Sequence, residues 1–180
     1  MPPLPIPGIV RVTTLKILGV TLTKGLSASN HIREIITNCA QTLHALRVLR
    51  CHGLPGDAVQ TVYRATVVAK LLYACCAWSG FISASDRKRV DAFLRRSKRC
   101  GFCPPDLPPF NDLIEAQEDQ LFFTINHNPQ HLLHCLLSLP PAASQSYDLR
   151  QRAHTRSLPD RAGHLVDSNF ISRIIFKDMY

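Results

Sequence analysis

Apolar side chains recur every three or four residues between Ser29 and Arg50, the spacing of one face of a helix. They form a stripe made of Ile32, Ile35, Ile36, Cys39, Ala40, Leu43 and Leu46. Gly53 stands where a left-handed residue would cap this helix, and Pro55 blocks its continuation. The pattern predicts an amphipathic helix whose stripe packs on a core.

A second helix is predicted from about Asp57, a favourable N-cap residue, to Trp78. Two neighbouring apolar rows run along it, the first with Val59, Val62, Tyr63, Val67, Leu71, Ala74 and Trp78, the second with Ala65, Val68, Leu72 and Cys75. A helix that is apolar on so many sides belongs in a core. Trp78 and Tyr73 are expected to pack there, with stacking on bases as the alternative. The apolar run includes Lys70 and is shorter than the roughly 20 residues that cross a bilayer, so we expect no membrane partner.

A third helix combines an apolar stripe with a dense basic face. Ser83 with Asp86 three residues later, or Ser85 alone, supplies its start signal. At about 100° per residue, one side carries Val90, Phe93, Leu94 and Ser97. The other side carries Arg87, Lys88, Arg89, Arg95, Arg96, Lys98 and Arg99. Like charges at this spacing repel one another, so the face favours a polyanionic partner, with a solvated helix surface as the plainer alternative.

The chain divides by composition into four segments. Residues 1–28 begin with a proline-rich stretch and continue into LKILGVTL, a run typical of one strand or of a hairpin around Gly19. Residues 29–99 hold the three helices, whose short connections favour an antiparallel bundle. Residues 100–141 form a proline-rich linker with short helices, and residues 142–180 a basic, irregular C-terminal tail. The predicted fold class is mainly α with a short N-terminal strand or hairpin.

Two short helices are expected after the basic one, from Asp112 to about Ile125 and from Pro129 to a point before Pro140. The tail closes on NFISRIIFKDMY, which could dock onto a larger body through its apolar side chains, Phe170, Ile174 and Phe176.

The formal net charge of +8 is unevenly distributed along the 180 residues. Of 21 Lys and Arg, seven lie in Arg87–Arg99 and six in Arg150–Lys177, whereas none lies between Cys100 and Leu149. Such clustering indicates nucleic acid more than a uniform excess would. The chain opens without a secretory signal pattern, so its 7 cysteines are expected to be free thiols in a reducing compartment, nuclear or cytoplasmic.

A zinc site is a weaker hypothesis. Cys100 and Cys103 form a C-x-x-C pair, and His127 with His131, or His131 with Cys135, follows one helical turn apart. The gap between the two pairs is longer than in compact zinc fingers. A redox role for the C-x-x-C is weaker still because no strand precedes it in a thioredoxin-like arrangement. Neither G-x-S-x-G nor H-E-x-x-H occurs in the chain.

A series of motifs along the chain resembles, in its order, a known protein family. The motifs are LKILGVTL, HIREI, LRVLRCHGLP, LLYACCAW and DRKRVDAFLRR, followed by NPQHLLHCLLSLPP, SYDLRQRAHTRSLP and NFISRIIFKDMY. In this order and spacing, from about Ile9 to Tyr180, they resemble the part of non-LTR (LINE-type) retrotransposon reverse transcriptases that follows the catalytic palm. The resemblance implies that residues 31–99 are a thumb-like helical bundle gripping template and primer, and that Lys16 and Gly19 lie nearest the primer end.

The resemblance also implies partners. The basic face would bind RNA or an RNA/DNA hybrid through phosphates without reading bases, and the missing fingers and palm of the polymerase would be a protein partner. Three rival interpretations are a truncated gene model of a full polymerase, a non-functional remnant of an element and a small zinc-dependent nucleic-acid-binding module.

Catalytic carboxylates of the family are missing from this chain. Reverse transcriptases hold Mg²⁺ with aspartates that include an adjacent pair before the LKILGV strand. Here residues 1–15 contain no acid, and the one adjacent acidic pair, Glu118 and Asp119, would point about 100° apart in a helix. We therefore expect neither polymerase activity nor a cofactor for this chain alone.

Overall fold

Helices make up most of the structure, a computed structural model that describes residues 8, 10–137, 156–157 and 163–177. The described residues contain one two-stranded antiparallel sheet near the N-terminus. The mainly helical class with a short N-terminal hairpin is therefore confirmed. Within the same residues, no helix has the length and apolar content needed to cross a membrane.

Two compact units divide the chain. The first contains residues 1–74 and 81–110, and the second contains residues 75–80 and 111–180. This grouping puts residues 75–80, which the sequence assigns to the helical segment 29–99, with the C-terminal half of the chain.

The N-terminal hairpin pairs β1 (Thr14–Ile17) with β2 (Val20–Thr23). Leu18 and Gly19 form its turn, and both have positive φ, +46° and +84°. Positive φ at both central residues is the signature of a type I′ turn, whose twist matches that of the flanking strands. The expectation of a strand or hairpin around Gly19 is confirmed.

Tyr73 supports this turn from the surface. Its hydroxyl donates to the carbonyl oxygen of Leu18 at 3.1 Å. Gly19 passes so close that an added Cβ would lie 3.4 Å from the tyrosine ring. Because Tyr73 remains 55% exposed, the prediction that it packs in the core is wrong, whereas Trp78 is fully buried as predicted.

The first predicted helix is α1 (Ser29–Cys51). The buried part of its stripe is Ile32, Ile35, Cys39 and Leu46. The remaining stripe residues Ile36 and Leu43 are half-buried, and Ala40 is exposed. One edge of the predicted stripe therefore stays open to solvent.

α1 ends at the predicted glycine. Gly53 has φ +92°, its amide donates to the carbonyl of Arg50, and the amide of Leu54 donates to the carbonyl of Leu49, both at 3.1 Å. This pair of bonds is a Schellman cap, which satisfies carbonyls that the helix end would otherwise leave free.

The second predicted helix is interrupted, which corrects the prediction of one continuous helix to Trp78. It consists of α2 (Gly56–Tyr63), a π-helical turn (Arg64–Val68), α3 (Ala69–Leu72), α4 (Cys75–Trp78) and a 3-10 turn (Ser79–Phe81). The break falls at Tyr73, with ψ 121°, and Ala74, with φ +50°. Neither value belongs to a right-handed helix. The N-cap of α2 is Pro55, and the predicted cap Asp57 lies in the first turn instead.

The buried face of α2 and α3 is narrower than predicted. It contains Val59 and Tyr63 of α2, Val67 of the π-helical turn between the two helices and Leu71 of α3. From the second apolar row, Ala65 is exposed and Val68 and Leu72 are half-buried. These two helices therefore cover one side of the first unit's core and present their other side to solvent.

The third predicted helix is α5 (Ala84–Arg99), and it starts at the predicted capping box. The Ser83 hydroxyl accepts from the amide of Asp86 at 3.1 Å, and the Asp86 carboxylate accepts from the amide of Ser83 at 3.3 Å. The predicted apolar side is buried and contains Val90, Phe93, Leu94 and Ser97. Asp86 is buried as well, which the pattern did not predict.

α1 and α5 run in the same direction. At their first turns the Ser29 hydroxyl donates to Asp86 Oδ2 at 2.6 Å. At their C-terminal ends Arg50 Nη1 donates to the carbonyl of Cys100 at 2.7 Å. α2 and α3 lie between α1 and α5 in the sequence and pack against α1. The first unit is therefore an up-down-up arrangement in which the first and third helices are parallel.

The second unit is built mainly on α6 (Phe110–His127), a 3-10 turn (His134–Leu136), α7 (His164–Ser168) and α8 (Phe170–Phe176). Its core contains Ile125, Leu137, Ile174 and Ile175, with Phe170 packed against it. α8, which holds the described apolar residues of the closing sequence, therefore packs on α6. In place of the helix expected from Pro129, the described residues up to Leu137 form turns and the 3-10 turn His134–Leu136. In the described part of the tail, α7 and α8 correct the expectation of irregular structure, and the rest of residues 142–180 lies outside the described residues.

Arg173 of α8 joins a polar network in this unit. Its guanidinium donates to Glu118 Oε1 at 2.6 Å and Oε2 at 3.0 Å, and to the Ser79 hydroxyl at 2.8 Å. The Ser79 hydroxyl in turn donates to Glu118 Oε1 at 2.6 Å. The neighbouring acid Asp119 is exposed and accepts from Lys177 Nζ at 2.7 Å. The adjacent acids thus pair with separate cations.

Candidate functional site

The cations that the sequence places on the third helix fall into two groups. Arg87 and Lys98 are half-buried on one flank of α5. The others are exposed and follow one side of the helix; we call them the basic strip: Lys88, Arg89, Arg95, Arg96 and Arg99. At about 100° per residue, the strip covers about a third of the helix circumference.

Lys98 contributes to the fold. Its Nζ donates to the carbonyl oxygens of Leu107 at 2.5 Å and Pro105 at 3.3 Å. Both carbonyls belong to the proline-rich loop after α5, where the prolines supply no amide donors. Lys98 therefore holds this loop with the ammonium group that the sequence assigned to phosphate binding.

The carboxylates of α5 are committed elsewhere. Asp86 is buried and accepts hydrogen bonds from Ser29 and Ser83, and Arg89 Nη1 lies 3.4 Å from its Oδ1. Burial alone would raise the pKa of Asp86, but the hydrogen bonds from Ser29 and Ser83 outweigh it and lower the pKa. Asp91 accepts from the amide of Phe110 at 3.4 Å. These acids therefore offset the positive charge of the basic strip only at its Arg89 end.

A groove of about 730 Å³ lies along the basic strip, between α1 and α5. Ile36 of α1 and Ala92 of α5 contribute apolar surface to it. Its cationic lining consists of Arg89, Arg95, Arg96, Lys98 and Arg99. Among the described residues, no Asp or Glu lines this groove, so the charged side chains that an entering anion meets there are all cations.

A second groove of about 360 Å³ shares Arg96 with the first and extends it between the same two helices. Its apolar lining comes from Ala40, Leu43, Phe93 and Phe102. His44 and Arg47 of α1 line it together with Arg96. Arg96 therefore stands where the two grooves meet.

Arg50 contacts two residues that line the second groove, Phe102 and Cys100. Its guanidinium lies over the Phe102 ring, 4.2 Å from the ring centre, while Nη1 donates to the carbonyl of Cys100. A cation over an aromatic face and a charge-assisted hydrogen bond together fix the chain where it leaves α5.

Lys16 lies apart from the basic strip. It is exposed on β1, and its Nζ is 3.9 Å from Glu34 Oε2. Thr21 of β2 donates to the same carboxylate oxygen at 3.3 Å. Lys16 lines neither groove, and the structure does not bring it together with the cations of α5.

Within the residues that the structure describes, three of the four zinc candidates use their side chains in other contacts, and the fourth, Cys100, does not. The Cys103 thiol is buried and donates to the carbonyl of Pro104 at 3.4 Å, and burial raises its pKa. Cys100 is an exposed free thiol. His127 Nδ1 lies 2.9 Å from the carbonyl oxygen of Phe123, and His131 Nδ1 accepts from the amide of Leu133 at 3.1 Å. Across the described part of the chain, no group of three or more His, Cys, Asp or Glu side chains is placed to hold a metal.

Sequence reasoning missed Arg47 and His44 as groove residues. Neither residue belongs to the predicted apolar stripe of α1, and neither was given a role. A signal was present, because Ala40, Leu43 and Arg47 follow one another at three- and four-residue steps and so share one edge of the helix. The spacing does not show that this edge of α1 faces α5, because that depends on how the two helices pack.

Comparisons with known proteins give no relative for this chain. No protein-family model, no curated protein and no solved structure matches it.

Proposed function

We propose that the protein binds RNA or an RNA/DNA hybrid through the basic strip. The observation that carries the proposal is five exposed cations on one side of α5, beside a groove whose described lining contains no acid. The phosphodiester backbone of a nucleic acid is the common biological polyanion whose charges are as closely spaced as these cations. Four of the five cations are arginines, which can form bidentate hydrogen bonds with phosphate.

Binding of this kind is independent of sequence. Lys and Arg contacts to phosphates position a protein on nucleic acid but carry no base information. Each contact releases a condensed counterion, so the logarithm of the binding constant falls with the logarithm of salt concentration, with a slope of about −4 for five contacts. A strong salt dependence is therefore the main signature of the proposed function.

The family resemblance gives this binding a setting. We propose that the chain corresponds to the thumb and C-terminal segment of a non-LTR retrotransposon reverse transcriptase, separate from its fingers and palm. An up-down-up helical unit that presents a basic helix, preceded by a hairpin carrying Lys16, is compatible with a thumb. The Mg²⁺-dependent chemistry of such a polymerase would belong to the palm, and no catalytic step is assigned to this chain.

Fluorescence anisotropy tests the proposal with labelled RNA and RNA/DNA hybrid over a series of salt concentrations. The double variant Lys88→Glu/Arg95→Glu reverses two cations of the basic strip. The matched control, Lys24→Glu/Lys70→Glu, reverses two exposed cations elsewhere in the first unit. We expect the strip variant to weaken binding about 10-fold or more and to reduce the salt slope by about 2, and the control to retain the slope.

Two results would contradict this function: binding that does not weaken as salt rises, or equal losses in the two double variants. The second would mean that net charge, and not the basic strip, attracts the nucleic acid.

A further inference from the structure

We infer that the grooves between α1 and α5 take a single strand of RNA, with its bases on the apolar floor and its phosphates along the arginines. The inference rests on the proposed function and narrows it from nucleic acid in general to an unpaired strand.

The floor has apolar surface that the fold leaves uncovered. Ile36 and Leu43 belong to the apolar stripe of α1 but are only half-buried, and Ala40 beside them is exposed. On the α5 side the small side chain of Ala92 leaves space where a longer one would fill the groove. A strip that bound phosphate alone would not need this surface.

The rim carries cations from both helices. Arg89, Arg96 and Arg99 stand on α5, and Arg47 stands on α1. A guanidinium is planar, so it can stack on a base and still donate to a phosphate. Arg96 can contact a strand in either groove because it lines both.

The dimensions fit separate nucleotides. Volumes of about 730 and 360 Å³ fall within the range of roughly 300–1,000 Å³ that is typical of small-molecule sites. Each groove therefore has room for a nucleotide-sized group, and a strand that passes Arg96 would place neighbouring nucleotides in the two grooves.

An unpaired strand uses these features and a duplex does not. In a duplex the bases are paired and stacked inside, so phosphates and sugars are what the helix presents to a protein surface. Single strands expose base faces, and proteins that bind them combine a cationic groove with aromatic side chains on which bases stack. Here the apolar floor and the planar guanidinium of Arg96 would take the part of those aromatic side chains. A duplex could contact the outer cations Lys88 and Arg95 without reaching the floor.

Ala40 and Gln41 allow a matched test. Both residues are exposed on α1, and at about 100° per residue Ala40 lies on the groove edge while Gln41 points away from it. Ala40→Glu and Gln41→Glu each add one negative charge with a residue that favours helix. Binding is measured by anisotropy at one fixed salt concentration, with labelled oligouridylate of about 12 nucleotides and with an RNA duplex of the same length.

We expect oligouridylate to bind more tightly than the duplex. Ala40→Glu should lower the affinity for oligouridylate about 10-fold more than Gln41→Glu does. The two variants should bind the duplex equally. Arg96→Lys keeps the positive charge but removes the planar guanidinium. It should weaken the binding of oligouridylate and leave the binding of the duplex unchanged. Circular dichroism confirms that each variant is folded.

Equal binding of strand and duplex, or equal effects of Ala40→Glu and Gln41→Glu on oligouridylate, would overturn the inference and leave the proposed function standing. Competition by poly-glutamate as strong as that by unlabelled oligouridylate would also overturn it, because the groove would then accept any polyanion. Failure to bind either nucleic acid would overturn both the inference and the proposed function.

Discussion

The Ser29 hydroxyl donates a 2.6 Å hydrogen bond to Asp86, and this bond joins the first turns of α1 and α5. The same carboxylate oxygen accepts from the hydroxyl of Ser83 at 2.7 Å and from its amide at 3.3 Å. One buried acid therefore caps its own helix and fixes the start of another. Because these donors stabilise the ionised form, the pKa of Asp86 is lower in the folded protein than its ordinary value of 3.8.

The first prediction concerns acid stability. A carboxyl with a lowered folded-state pKa stabilises the fold above its unfolded pKa, and this contribution is lost as pH falls below 3.8 towards the folded-state value. We expect Asp86→Asn to cost about 1–2 kcal/mol of unfolding free energy at neutral pH. Urea unfolding from neutral to acid pH measures this, and the gap between wild type and variant should narrow below pH 3.8.

Asp57→Asn is the control for this prediction, since Asp57 also lies in a first helical turn but is exposed. It should cost about 0.5 kcal/mol or less. Equal losses of unfolding free energy in the two variants would contradict the prediction. They would mean that Asp86 stabilises the fold only as a negative charge at a helix N-terminus and not through its buried hydrogen bonds.

The second prediction concerns Arg173. Its removal would leave the carboxylate of Glu118, which is only 10% exposed, without the cation that pairs with it in the described part of the chain. We expect Arg173→Ala to cost about 3 kcal/mol or more, since an uncompensated buried charge is strongly destabilising. Lys177→Ala removes a cation whose partners Glu115 and Asp119 are about half exposed, and it should cost about 1 kcal/mol or less. Chemical unfolding compares the two, and similar values would contradict the distinction.

The third prediction concerns Gly80. A Cβ on this residue would lie 2.0 Å from the carbonyl oxygen of Ser168 and 2.9 Å from Arg173 Nε. The close neighbour is backbone and cannot rotate away, so we expect Gly80→Ala to cost about 3 kcal/mol. Gly56→Ala is the matched change, because a Cβ there meets nothing within 4 Å. It should be neutral or stabilising by up to about 1 kcal/mol. Thermal unfolding of both variants checks the pair, and an innocuous Gly80→Ala would contradict the close approach.

The fourth prediction concerns the hairpin turn. Leu18 holds a left-handed conformation, φ +46°, with 86% of its surface exposed, so its side chain gains little from packing. Asn tolerates this conformation, and Asn-Gly is the preferred type I′ pair. We expect Leu18→Asn to stabilise the hairpin by about 0.5–1 kcal/mol, measured as slower hydrogen exchange of the amides of β2. The same change at Leu15, within β1, should speed exchange because Asn disfavours strands.

Local chemistry explains why parts of the fold could be predicted. Ser83 with Asp86 is a complete capping signal within four residues, and Gly53 marks a helix end because left-handed backbone favours glycine. The break at Ala74 could not be found in this way, since neither glycine nor proline marks it. Tyr73 was misplaced for the same reason, because the break turns it away from the core.

The candidate site could be predicted in composition but not in detail. Spacing alone separates the cations of α5 from Val90 and Phe93. It cannot show that Lys98 bonds the carbonyls of a loop, because that contact depends on how the chain turns after the helix. Nor can it bring Arg47 beside Arg96, because that requires the packing of α1 on α5.

The shared direction of α1 and α5 has an electrostatic consequence. The macrodipoles of parallel helices add, and each helix end carries the equivalent of about half an elementary charge, positive at the first turn and negative at the last. Asp86 lies at the positive pole of the pair, and Arg50, in the last turn of α1, lies at the negative pole. With both poles neutralised, the potential along α5 is set by the side chains of the basic strip and not by the backbone.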